Sequence, residues 1–249
     1  MKKQFGIGGI AVVVYLLTLL IHTPSSRLVH WFVPESVRIS GPQGSLMQGQ
    51  MAQLQWQNWH LEQVHWRLHP WALLSGRAVF DLSFHGDLSG QAQGVLTPWG
   101  WQIRQVNTQI AAAALLSHLF RDEPPVQLSG IIQLQNVQFQ PSEPGCRKLT
   151  GQIRWQDPQL QSALGALKPS PLQGQLTCDN AEPRFQLTHR GVLFSADGNV
   201  RLSPDRWQWQ MNFKPTAQFP QSYLAVVKQY FRVSKDGFYH LERSGKLTP

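Results

Sequence analysis

From residue 37 onward, apolar and polar positions alternate in short runs broken by glycine, proline, asparagine or aspartate. Leu149, Gly151, Ile153 and Trp155 share one parity, with Thr150, Gln152 and Arg154 on the other. Leu172, Gly174, Leu176 and Cys178 repeat the pattern against Gln173, Gln175 and Thr177. Ala78, Phe80, Leu82 and Phe84 do so against Val79, Asp81 and Ser83, and Trp207, Trp209, Met211 and Phe213 against Gln208, Gln210 and Asn212. Successive side chains of a strand point to opposite faces, so each run reads as a strand with one apolar face.

The same signal predicts strands over 37–41, 46–56, 60–68, 76–85, 92–97, 101–109, 126–139, 149–155, 172–178, 184–188, 191–202, 206–213 and 238–241. Turn residues such as Pro42-Gln43-Gly44 and Ser203-Pro204-Asp205 separate them. Many antiparallel strands with one wet face predict an all-β fold, a large curved antiparallel sheet forming a groove or half-barrel. Glycines inside the strands suit the bends that such a sheet needs. One or two short helices are expected, over 110–120 and 221–231, with a further short piece around 160–167.

A different pattern precedes the strands. Phe5 to Ile21 is one uncharged, mostly apolar run behind Lys2-Lys3, and no second such run follows. Its 17 residues make about 26 Å of helix, near the lower limit for a hydrocarbon core of about 30 Å. The lysines favour a cytoplasmic N-terminus. The expected organisation is therefore a cytoplasmic tail (1–4), a single transmembrane helix (5–22) and a β-rich domain (23–249) across the membrane. Pro124-Pro125 divides that domain into two halves of similar strand texture meeting near 121–126. A cleaved signal peptide is the competing reading, but His22-Thr23-Pro24-Ser25-Ser26 offers no Ala-x-Ala site.

Composition changes the picture modestly. Charged residues are 14% of the chain, where about 25% is usual, and glutamine supplies much of the polarity. The net charge of +8 sits mostly in residues 141–249, which carry 14 basic against 8 acidic residues, 14 − 8 = +6. The excess is dispersed and accompanies no nucleic-acid motif, so no nucleic-acid partner is expected. An anionic membrane surface or an acidic partner accounts for it more simply.

Candidate chemistry is sparse. The two cysteines, Cys146 and Cys178, are the obvious disulfide pair in an oxidising compartment, the alternative being two buried thiols. His60, His65 and His69 lie close in sequence, yet strand spacing puts the last two about 13 Å apart. They read as surface or groove-lining residues and not as metal ligands. Asp81 with His85, and Asp122-Glu123, lack the partners of an acid–base site. No phosphate loop or nucleophile elbow occurs. No catalytic residue, metal or cofactor is expected, and the protein does not read as an enzyme. The tryptophan-rich strands read as core packing before they read as ligand platforms.

Several segments together carry a family resemblance. They are Gly44-Ser45-Leu46-Met47-Gln48-Gly49, then Val64-His65-Trp66-Arg67-Leu68 with Leu73-Leu74-Ser75-Gly76, and Leu128-Ser129-Gly130. They continue through Cys146-Arg147-Lys148-Leu149-Thr150-Gly151 leading to Trp155, and Leu172-Gln173-Gly174-Gln175-Leu176-Thr177-Cys178. The last are Tyr239-His240-Leu241 and Gly245-Lys246-Leu247. Over nearly its whole length the chain resembles type II secretion system protein N, Met47 departing from an expected tryptophan. The resemblance implies an inner-membrane accessory of the machine that exports folded proteins across the outer membrane. It implies other secretion components as partners and no catalytic residues. The strand texture also looks like AsmA-type envelope proteins, which implies a lipid in a concave groove as the rival function.

Overall fold

The computed structural model describes residues 37–56, 59–119, 126–234 and 236–246. They fall into two compact units, one ending at Gly100 and the other beginning at Trp101. The expected tail 1–4 and span 5–22 lie outside the described residues, as does all but Val126 of the junction at 121–126. Among the described residues no helix is long and apolar enough to cross a membrane.

The first unit is an antiparallel sheet built from β1 (Val37–Ser40), β2 (Gln43–Gly44), β3 (Gln48–Trp56), β4 (Trp59–Leu68), β5 (Ala78–Gly86) and β6 (Leu88–Thr97). Its order is β1-β3-β4-β5-β6, with β2 paired to β3. One helical turn, α1 (Pro70–Leu73), joins β4 to β5. Sequence alternation sorts its residues as expected. Gly49, Trp66, Leu82 and Ala92 stand opposite one another across four strands, while Gln50, His65 and Ser83 form the next, polar row.

The second unit contains β7 (Gly100–Ala111), α2 (Ala112–Leu119), β8 (Val126–Ser142), β9 (Gly145–Ser162), β10 (Gly165–Leu167), β11 (Leu172–Asp179) and β12 (Glu182–Arg190). It continues with β13 (Phe194–Leu202), β14 (Arg206–Pro215), α3 (Gln221–Tyr230), β15 (Arg232–Val233) and β16 (Tyr239–Lys246). The strand order is β7-β8-β9-β11-β12-β13-β14-β16-β15, with β10 on β9, and every pairing is antiparallel. No pairing joins β7 to β15 among the described residues, so this sheet is open. The all-β reading with few, short helices therefore stands.

Bulges keep the apolar residues on one face. In β4 the apolar spacing lengthens from two to three between Leu61 and Val64, and Gln63 absorbs the extra residue at φ 48°. In β8 the step from Leu134 to Val137 does the same, with Asn136 at φ 52°. A bulge inserts one residue into one strand, which returns the following side chains to the original face. One expected element is replaced: 160–167 is the end of β9, a turn and β10, not a helix. Leu167 pairs with Leu160 across that turn, and Gly165 takes φ 115°, a conformation open to glycine and strained for other residues.

Candidate functional site

In the second unit the register carries apolar rows across the sheet. Trp155 stands opposite Leu172 on β9 and β11, and His189, Ala196, Phe213 and Tyr239 stand in one row across β12, β13, β14 and β16. The next holds Leu134, Ile153, Gly174, Leu187, Gly198, Met211 and Leu241. A third contains Gly151, Leu176, Phe185, Val200, Trp209 and Arg243. The opposite face is amide-rich, with Gln152, Gln175, Gln186, Asn199, Gln210 and Glu242 in one row. On that polar face Gln152, Arg154, Gln173, Gln175, Gln186 and Thr188 surround a shallow cavity of about 310 Å³.

Two devices finish the apolar face. The first is α3, which follows Pro220 and presents Tyr223, Leu224 and Val227 at helical spacing. These pack, with Phe231, against the buried cluster of Leu167, Phe194, Ala196, Phe213, Phe219 and Tyr239. Phe213 is the hub: its ring centroid lies 5.0 Å from Phe194 and 5.3 Å from Phe219, the latter edge-on. Tyr223 Oη donates to Gly165 O at 2.7 Å and Ser222 Oγ to Leu164 O at 3.3 Å, which fastens the helix to the β9–β10 turn.

The second device is glycine beneath an aromatic ring. A Cβ built at Gly174 would lie 2.3 Å from the Phe185 ring, and one at Gly245 would lie 2.6 Å from Trp207. Phe80 lies over Gly94 and Trp66 over Gly49 in the first unit in the same way. Rings lying on bare backbone make a smooth apolar floor. Away from α3 that floor is incompletely covered: Phe185, Leu187 and Val200 are half-buried, and Trp209 and Leu202 are 37% and 42% exposed.

The edge of this sheet is a second candidate. β14 pairs with all of β16, but β15 reaches only Tyr239 and His240 on the other side. Among the described residues, Leu241 to Lys246 therefore lack a strand on their outer edge. Such an edge presents backbone N–H and C=O groups to a partner strand.

Cys146 and Cys178 are joined by a disulfide, Cα–Cα 6.1 Å, near the ends of neighbouring β9 and β11. Cys146 is buried, and its N–H bonds Ala181 O at 2.9 Å, which ties the β11–β12 turn to the same corner. The histidine group separates: His60 faces Asp87 at 3.5 Å, the His65 ring bonds Gln63 O, and His69 meets Asp81 at 2.7 Å. Asp81 also accepts from Gln93 Nε2 at 2.8 Å. That amide bond first, with the His69 contacts, holds the Asp81 carboxyl below its ordinary pKa against some burial. The Asp81–His69 contact escaped sequence reading because the chain leaves the strand at Leu68 and turns His69 back toward β5. His189 is buried and its Nε2 has no partner, and burial lowers its pKa despite a backbone hydrogen bond at Pro171. Among the described residues no three His, Cys, Asp or Glu side chains gather as a metal site.

The family model for type II secretion system (T2SS), protein N, matches residues 35–242. A type II secretion system protein N from Vibrio cholerae is 28% identical, over 99% of this chain and 100% of the relative. One from Aeromonas hydrophila is 29% identical over the same shares, and one from Klebsiella pneumoniae is 25% identical over 95% and 94%. No solved structure matches the chain.

Proposed function

The chain belongs to the type II secretion system protein N family, and on that premise we propose a non-catalytic secretion component that docks its partners by strand addition. The observation that carries this is the outer edge of β16, where Leu241 to Lys246 follow the short cover of β15. Main-chain bonding along such an edge gives affinity, and alternate side chains give specificity. Here Leu241, Arg243 and Gly245 project to the apolar face while Glu242, Ser244 and Lys246 project to the polar one. In this reading residues 5–22 anchor the protein in the inner membrane and both units work in the periplasm. The sheet of the second unit bends in this reading, its apolar side concave.

The test is photocrosslinking in secreting cells, with the probe placed at Glu242 or Ser244 and, as control, at Gln186 on the inner strand β12. Adducts with another secretion component from β16 positions only are the expected result. Intact secretion with no adduct at either β16 position overturns strand docking.

One observation favours a second reading, a lipid held on the apolar face. Phe185, Val200 and Trp209 lie beyond the reach of the α3 cluster and remain partly open. An acyl chain would cover them without needing polar partners. Native mass spectrometry of the protein taken from membranes separates the two: a lipid mass lost on organic extraction supports the groove, and a bare mass leaves docking.

A further inference from the structure

The first unit exposes an aromatic group that packing does not explain. Trp71 is 82% exposed and Leu74 67%, both in the connection from β4 to β5. Trp99 is 94% exposed and Leu96 50%, where β6 ends. These two segments emerge at the same end of the sheet. Ala78, the first residue of β5, stands opposite Leu96, and the His69 N–H bonds Val79 O just behind α1.

Both segments are shaped by their own hydrogen bonds. Ser75 and Arg77 N–H both bond Ala72 O, and Thr97 Oγ1 donates to Gly100 O at 2.9 Å. Indoles normally bury most of their large surface. Two exposed at the same end of one sheet mark a contact surface.

Charge identifies what the surface fits. From Leu68 to Phe80 the only Lys, Arg, Asp or Glu is Arg77, which is exposed, and from Leu88 to Gly100 there is none. Arg67 at the end of β4 is exposed as well. Indole and leucine beside arginine are the side chains that settle at the headgroup level of an anionic bilayer, and the one adjoining acid, Asp81 opposite Arg67, is already bonded to His69 and Gln93. The sequence puts the first unit within reach: 15 residues separate Ile21 from Val37, at most about 54 Å of extended chain. The geometry points to Trp71, Leu74, Leu96 and Trp99 as a membrane-seating rim that inserts its indoles into the headgroup layer of an anionic bilayer. This inference concerns the first unit alone; it rests on the reading of residues 5–22 as an inner-membrane anchor and not on strand docking at β16.

The test uses the full chain reconstituted in vesicles of phosphatidylethanolamine and phosphatidylglycerol, with bromine on the upper acyl carbons as quencher. Phe5 to Ile21 contain no tryptophan, and Trp31, which follows that run, is replaced by Phe in every sample so that it does not contribute to the quenched emission. The expected result is quenching that falls roughly two-fold or more in Trp71→Gln/Trp99→Gln. It should persist in Trp155→Phe and weaken when phosphatidylglycerol is omitted. No bromine-sensitive emission in the protein carrying only Trp31→Phe overturns the inference without any further variant. Equal quenching in the double variant overturns it too, and if that variant also loses secretion the rim is assigned to a protein partner.

Discussion

Replacing Cys146 and Cys178 together with alanine tests how much of the second unit depends on one covalent tie. The bridge closes a sequence separation of 32 residues. Loop-closure entropy for that length is about 3.7 kcal/mol at 25 °C. For a body of this size each kcal/mol moves the melting temperature by roughly 2–4 °C, so the expected drop is about 7–15 °C. The structure adds where the loss should start. The β9–β11 ladder ends at Thr150 and Thr177, and beyond it the disulfide and the Cys146 N–H bond to Ala181 hold the corner. Amide exchange at Arg147, Lys148 and Ala181 should therefore accelerate more than in β13 or β14. The assay is thermal unfolding of the oxidised protein, the reduced protein and the double variant. Reduction should lower the first to the level of the third and leave the third unmoved. Equal melting temperatures in all three would refute the reasoning.

Three further outcomes follow from the packing. Phe213→Ala should cost about 3–5 kcal/mol in urea unfolding, because it removes the ring shared by Phe194, Phe219 and Tyr239. A loss under about 1 kcal/mol would mean that α3 does not close this cluster. Gly174→Ala should destabilise by about 1–3 kcal/mol, since the new methyl meets the Phe185 ring at 2.3 Å, whereas Gly198→Ala meets Leu187 only at ordinary contact distance. Equal costs at the two glycines would dismiss the ring-on-backbone account. His189 titrates below its ordinary value when folded, so the unfolded chain binds the proton first and stability falls as pH drops through about 6.5. His189→Gln should flatten that part of the melting profile, and an unchanged slope would assign it to other groups.

Local periodicity reached far into this fold. The amide-versus-apolar alternation of β9, β11 and β14 settles which residues share a face, because strand side chains alternate with period two whatever the partner strand is. Even the bulges are legible afterwards: an apolar spacing of three at Leu61–Val64 and Leu134–Val137 is where Gln63 and Asn136 take positive φ. The helix over 221–231 was readable from Pro220 and the spacing of Leu224, Val227 and Phe231.

Tertiary structure decided what alternation cannot carry. Pattern alone left Leu160 to Leu167 open to a helix, and pairing with the chain's own return made it β9 and β10. Which part of the apolar face is sealed depends on α3 meeting Phe213 and Tyr239, residues brought together by strand order and not by spacing. The open edge of β16 exists because β15 stops after two residues, and the exposure of Trp71 and Trp99 follows from their places in connections at one sheet end. Period and composition report the side of a strand on which a residue lies. Only the assembled sheet determines whether anything lies on top of it.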